Sequence, residues 1–233
     1  MDEFRQLIEQ HGFAILPAAL PTEAVDALAA STEPLLENRP GGLYGGVRDL
    51  FNLLPAVKTL ACSAAVRSWV EPILGPNCFA VRGLLFDKDS SSNWKVPYHQ
   101  DLTIAVRRRL PAPQFGPWSI KAGVPHVQPP VDVLERMLAV RIHLDDCGPE
   151  NGPLRVLPGS HRFGVLSAAE VGNWRSRVQE VSCHVSHGGL LVMRPLLLHA
   201  SSPASRVSHR RVIHLEYAAA LLPENLEWHE ALS

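Results

Sequence analysis

The pattern of apolar and polar positions changes character near residue 75. Before that point apolar residues fall three and four apart: Phe4, Leu7 and Ile8 first, then Val25, Leu28 and Ala29 behind Thr22. This spacing collects them on one face of a helix. Thr22 is a suitable N-cap for the second helix, and Pro34 weakens its far end. Between the two, Gly12–Leu16 reads as a brief strand closed by Pro17. A third helix is predicted over 56–74, with Val57, Leu60, Ala64, Val66 and Val70 apolar and Gly75-Pro76 ending it. The glycines of Gly41–Gly46 predict a flexible loop.

From Cys78 onward the period shortens to two. Phe79–Phe86 predicts a strand, followed by a polar loop over 87–93. Leu102–Val106 predicts another, and Met137–Asp145 alternates cleanly. Further short strands are expected near 152–157, 181–185, 189–193, 196–199 and 211–217, with one helix behind Ser167 that includes Val171 and Trp174. The stretch 108–130 holds six prolines and no periodicity. A loop of that length is usually functional, and it is expected to be a lid. Helices first and about eight short strands after them imply an α+β chain: an antiparallel sandwich or jelly roll with its N-terminal helices packed on one sheet. No repeat or linker divides the chain, so residues 1–233 are expected to form a single domain.

Composition narrows the functional classes. With 22 basic and 23 acidic residues, no net field attracts nucleic acid or an anionic membrane. No apolar run reaches the roughly 18 residues of a membrane span, and Met1-Asp2-Glu3-Phe4-Arg5 does not open a secretory signal. A soluble, cytoplasmic protein is expected. The four cysteines, Cys62, Cys78, Cys147 and Cys183, form no CxxC pair and are expected to be small buried hydrophobes.

Eleven histidines are more than a core needs. His99-Gln100-Asp101 places an imidazole and a carboxylate two residues apart, on one side of an extended chain, where both can grip one metal. Two histidines and a carboxylate form the facial triad of non-haem iron oxygenases. His143-Leu144-Asp145 repeats the motif and stands as the alternative. His99 is favoured because it follows a proline at a strand mouth, whereas His143 lies within a strand. A 2-oxoglutarate co-substrate needs a cation for its far carboxylate, and arginine's planar fork suits that task. Of the late histidines His184, His187, His199, His209 and His214, His199 is the one singled out by an arginine eleven positions on, Arg210.

Pro97-Tyr98-His99-Gln100-Asp101-Leu102, the turn Asn151-Gly152-Pro153-Leu154, the stretch Leu157–His161 and His199-x-Ser201 with Arg210-Arg211 together resemble the phytanoyl-CoA dioxygenase family. Gly12–Leu16 resembles the N-terminal strand of that family. The resemblance covers about residues 4 to 220. It implies a double-stranded β-helix, Fe(II) held by His99, Asp101 and His199, and Arg210 on the 2-oxoglutarate tail. Departures from the family's pattern are Ala204 and Arg206, where relatives often carry Asn and Ser, and Arg141, where some carry a co-substrate-contacting tryptophan. Arg141 and Arg82 are further candidates for binding the co-substrate. The presence of Asp101 disfavours the halogenating relatives, which leave that position to chloride.

Trp94, Lys95, Gln100 and Trp118 are candidates for lining a substrate pocket. Arg107-Arg108-Arg109 reads as a solvated strand end and Ser160-His161 as a structural turn. The expected activity is Fe(II)- and 2-oxoglutarate-dependent hydroxylation of a small molecule by O₂, releasing succinate and CO₂. The alternatives are a redox-inert, cupin-like isomerase or hydrolase on the same ligands, and a catalytically silent binding module.

Overall fold

The structure is a computed structural model and describes residues 1–37, 46–90, 92–206 and 208–232. The N-terminal part runs α1 (Asp2–His11), β1 (Phe13–Leu16), α2 (Thr22–Glu37), α3 (Leu50–Leu53), α4 (Pro55–Cys62) and α5 (Ala64–Leu74). Then come β2 (Phe79–Lys88), β3 (Val96–His99), β4 (Ile104–Ala105), β5 (Trp118–Lys121), β6 (Val124–Val127), α6 (Val131–Glu135) and β7 (Met137–His143). The chain continues through β8 (Leu154–Val156), α7 (Ala168–Arg177), β9 (Val181–Cys183), β10 (Leu190–Met193), β11 (His199–Ser201) and β12 (Arg210–Ala218).

The strands form an antiparallel five-stranded sheet, β1-β10-β7-β12-β2, and a four-stranded sheet, β3-β11-β8-β9. Alternation assigns each face of the larger sheet. Val140 and Ile142 of β7, Val192 of β10, and Ile213, Leu215 and Tyr217 of β12 pack against Phe4, Ile8, Val25, Val57 and Val66 of the helices. The intervening Ala139, Leu191 and Met193 face the other way and meet Leu154, Val156, Cys183 and Leu197. The two sheets thus close face to face as a double-stranded β-helix, with the N-terminal helices on the outside of the larger sheet. Tyr217 ties the layers by donating its hydroxyl to Ala61 O at 2.8 Å. No helix among the described residues is long and apolar enough to cross a membrane.

Several sequence expectations are corrected. The helix predicted over 56–74 breaks at Ser63, whose backbone is extended and whose hydroxyl donates to Leu60 O at 2.7 Å, competing with the helical ladder. Thr22 is the first helical residue of α2 rather than its cap, and α2 carries Pro34 without ending there. β2 runs on to Lys88, two residues into the expected polar loop. The strand predicted over 102–106 shrinks to the two residues of β4. The segment 108–130 is not an irregular loop: β5 and β6 form a hairpin that pairs with β4 in a third sheet. Cys62 is exposed, while the other three cysteines are buried. Ser167 does cap α7, with Glu170 completing the reciprocal pair of bonds. The expected loop Gly41–Gly46 lies, apart from Gly46, outside the described residues.

Candidate functional site

The strand pair β3–β11 brings the first two candidate ligands together. His99 closes β3, His199 opens β11, and the two are directly opposed in the antiparallel register. Each ring sends Nδ1 to the backbone carbonyl two residues earlier in the chain, Pro97 O and Leu197 O, both at 2.9 Å. Since a carbonyl only accepts, each Nδ1 carries the proton, and each Nε2 is left with a free lone pair. Both Nε2 atoms face Asp101, at 3.7 Å from its two different carboxylate oxygens. Asp101 follows β3 and is fixed by its own N–H, which donates to Pro195 O at 2.9 Å. One donor atom from each of the three residues fits within 4.8 Å of the others. Backbone-anchored imidazoles converging on a carboxylate are what a divalent metal requires.

Electrostatics prepare the same protonation states. Burial pushes the pKa of His199 down to about 4, more strongly than Asp101 raises it, so its imidazole is neutral. Burial alone would raise the Asp101 carboxyl, but His199, His214, His99 and Arg141 outweigh it and hold the pKa below the ordinary value. Neutral imidazole and ionised carboxylate are the ligating forms.

The second H-x-D builds nothing comparable. His143 is buried with neither ring nitrogen bonded, and burial lowers its pKa well below the ordinary value. Asp145 instead grips Arg211, with contacts of 2.7 Å to Nη2 and 3.0 Å to Nε. Asp87, Asp89 and His209 also approach one another. There Asp87 accepts from the backbone N–H of Arg210 at 3.2 Å and contacts His209 Nδ1 at 2.9 Å.

His99, Asp101 and His199 line a cavity of about 400 Å³ together with Arg141, Arg210 and Glu216. Arg210 begins β12, is buried, and donates through Nη1 to Gly152 O at 2.7 Å, while its Nε has no partner. Arg141, on β7, contacts His214 Nδ1 at 3.1 Å and lies 5.4 Å over the Phe86 ring. Burial and then Arg210 lower its pKa to about 10. Arg82 also reaches this cavity, but its Nη1 is held by Glu216 Oε1 at 3.1 Å.

Of the candidate pocket residues, Trp94 and Gln100 line the cavity. The Gln100 amide is consumed structurally: it donates to Gly164 O and Leu196 O at 2.8 and 2.7 Å and accepts from Leu166 N at 2.8 Å. Lys95 is exposed. Trp118 packs with the apolar cluster around Ile104 and Val127, under the Arg109 guanidinium at 5.4 Å. Neither Lys95 nor Trp118 lines the cavity.

Two residues were missed from sequence. Lys88 is fully buried beside its cross-strand partner Arg210 and donates to Ser201 Oγ at 3.1 Å. Burial, then Arg210, lowers its pKa to about 7. A lysine closing an apolar strand was the available signal. Glu216 stands 3.6 Å from His214 and holds Arg82. Its signal was the step of two along β12 from Arg210 through His214.

Solved structures share this architecture. AviO1 from Streptomyces viridochromogenes Tue57 superposes with a TM-score of 0.69 and 24% identity over 96% of this chain and 95% of its own. SnoN, described as a non-haem alpha-ketoglutarate-dependent epimerase from nogalamycin biosynthesis, gives 0.71 and 16% over 96% and 90%. HygX from Streptomyces hygroscopicus, a structure with iron bound, gives 0.68 and 15% over 96% and 89%. No curated protein sequence matches the chain. The sequence profile of the phytanoyl-CoA dioxygenase family matches residues 8–212, and with that match the chain belongs to the phytanoyl-CoA dioxygenase family.

Proposed function

We propose that this protein is an Fe(II)- and 2-oxoglutarate-dependent oxygenase that hydroxylates a small molecule, releasing succinate and CO₂. The observation that carries the reading is the pairing of a His99–Asp101–His199 donor set with a buried, incompletely satisfied Arg210 in one cavity. The family assignment supports it, as do neighbours described as alpha-ketoglutarate-dependent or solved with iron bound.

Iron held by His99, Asp101 and His199 would supply the redox chemistry that couples O₂ reduction and 2-oxoglutarate decarboxylation to oxidation of a C–H bond. The chain's own residues bind and orient. Arg210 receives the tail carboxylate of the co-substrate through its unspent N–H groups, held in place by Gly152 O. Lys88 adds positive potential from behind Ser201. Leu84, Phe86, Val96 and Leu154 give the cavity apolar walls that limit water. A redox-inert isomerase or hydrolase would have no use for a buried cation placed this way.

The test is anaerobic reconstitution with Fe(II), followed by O₂ and 2-oxoglutarate with candidate substrates. Succinate should form in step with a product that carries one oxygen atom from isotopically labelled O₂. Substrate turnover without 2-oxoglutarate would defeat the reading, and a product without added oxygen would defeat hydroxylation.

A further inference from the structure

A second cavity, of about 780 Å³, adjoins the metal cavity, and the two share Arg48, Arg82, Trp94 and Lys121 in their walls. Its volume falls within the usual range for small-molecule sites. Much of its wall is apolar: Leu35 from α2, Val47, Leu53, Leu85 from β2, and Val124 from the hairpin. We propose that this cavity is the substrate site and takes an organic acid with an apolar body, whose carboxylate is held between Arg48 and Lys121. The proposal rests on the oxygenase reading above and adds the class of substrate to it.

The charges around the junction carry the argument. Arg82 is already matched to Glu216 at 3.1 Å. Arg48 has no hydrogen bond or ion pair among the described residues, and Lys121 has one neutral partner, Thr103 Oγ1 at 2.9 Å. The carboxylates on the same walls are otherwise engaged. Asp87 is taken by His209 and the Arg210 N–H. Asp49 accepts from Asn52 Nδ2 at 2.8 Å. Burial raises Glu230 to about 7, which removes much of its negative charge near neutrality. Arg48 and Lys121 therefore face one junction with no carboxylate bonded to either among the described residues, and Glu216, which attracts both, is itself bonded to Arg82.

Their ionisation reflects burial and neighbouring cations, offset in part by Glu216. Burial, then Arg82, lowers the pKa of Arg48. Burial, then Arg82 and Arg48, lowers that of Lys121. A carboxylate placed between them would relieve the repulsion and form charge-assisted hydrogen bonds with both. A neutral ligand would leave both cations desolvated and unpaired. His126 adds a polar point on the same wall. Its Nδ1 bonds Val124 O at 2.9 Å, and its Nε2 is buried without a partner.

Two fluorescent probes with one carbon framework test the proposal: 8-anilinonaphthalene-1-sulfonate, which is anionic, and N-phenyl-1-naphthylamine, which is neutral. The anionic probe should bind more tightly, and octanoate should displace it better than octanol. Arg48→Gln and Lys121→Met should each weaken the anionic probe about tenfold, in line with one charged hydrogen bond. Binding of the neutral probe should stay unchanged, and Lys121→Arg should restore the anionic probe. Circular dichroism establishes that each variant is folded. Equal binding of the two probes, no binding of either, displacement by octanol as readily as by octanoate, or insensitivity to both substitutions would each overturn the proposal. Fe(II) and 2-oxoglutarate binding is read separately, by the charge-transfer absorption of their complex. Its absence alongside retained probe selectivity would instead count against the oxygenase reading.

Discussion

His99 and His199 face each other across the β3–β11 ladder with ring centroids 4.2 Å apart and planes inclined at 52°. Two imidazoles this close are held by backbone register and by their own Nδ1 bonds, with Asp101 completing the set from one side. The arrangement depends on both strands at once.

His99→Ala or His199→Ala should lower Fe(II) affinity by more than about a hundredfold, since even losing an outer-shell partner of a metal ligand costs about 10–100-fold. Metal content after equilibrium dialysis measures it. His143→Leu should keep the iron and leave the thermal midpoint near the parent's, because it removes two unbonded buried nitrogens at similar volume. Loss of iron in the His143 variant alone would move the metal to the other H-x-D.

Arg210 and Arg211 are neighbours on β12 with opposite duties. Arg210→Ala should raise the 2-oxoglutarate dissociation constant by a hundredfold or more, from about 3–5 kcal/mol for losing one member of a desolvated pair. Arg210→Lys should recover part of the affinity, because ammonium lacks the planar fork. Arg211→Ala should leave co-substrate affinity unchanged and cost about 1–3 kcal/mol of stability, since it strips Asp145 of its guanidinium. Calorimetric titration and urea unfolding separate the two effects.

Lys88 should make co-substrate binding pH-dependent. Its pKa is about 7 in the fold against an ordinary 10.5, so between those values the unfolded chain binds the extra proton. Stability from this group therefore rises with pH across that window, and the penalty for burying the charge is fully present below about 7. A carboxylate arriving at Arg210 draws a proton back onto Lys88. 2-Oxoglutarate binding at about pH 8 should accordingly take up protons, measured by calorimetry in buffers of different ionisation enthalpy. Affinity should fall as pH climbs above about 7, and Lys88→Met should abolish the uptake.

Gly152 sits at φ 61°, ψ 59°, and an added Cβ would collide with the Ser202 carbonyl oxygen. Its own carbonyl is the anchor of Arg210. Gly152→Ala should cost about 2 kcal/mol or more in urea unfolding, from the left-handed backbone plus the collision. It should also weaken 2-oxoglutarate binding without loss of iron, because the carbonyl it displaces bonds Arg210 and none of the three candidate metal ligands.

How far the sequence could be read depended on how local each signal was. The His99-x-Asp101 motif and the eleven-residue step from His199 to Arg210 are written within short segments, and the fold places those residues in one cavity. The β5–β6 hairpin was hidden because prolines at 117 and 125 break up the strand pattern, although Trp118-Ser119-Ile120-Lys121 pairs fully with Val124–Val127. The break at Ser63 was invisible because the apolar face continues through it from Val57 to Val70. Lys88, Glu216 and the Arg48–Lys121 junction depend on contacts between distant segments, to which local periodicity is blind. Lys95 was drawn in by proximity to the motif and Trp118 by its place in the proline-rich stretch, yet Lys95 is exposed and Trp118 packs against an apolar cluster, so neither lines the cavity.

β12 concentrates an unusual amount of this machinery. Arg210, His214 and Glu216 line the cavity, while Ile213, Leu215 and Tyr217 belong to the helix-facing core. The strand is in effect a zipper with two incompatible rows of teeth, so its tolerance to length change is sharply uneven. One residue added before His209 lengthens a loop and leaves both rows in place. One residue added between Arg210 and Glu216 would exchange the rows beyond it, driving a carboxylate into hydrocarbon and presenting aliphatic carbon to the cavity. Insertions accumulated by drift or introduced by design are therefore confined to the ends of this strand, and its interior is the part of the chain where a frame must be kept.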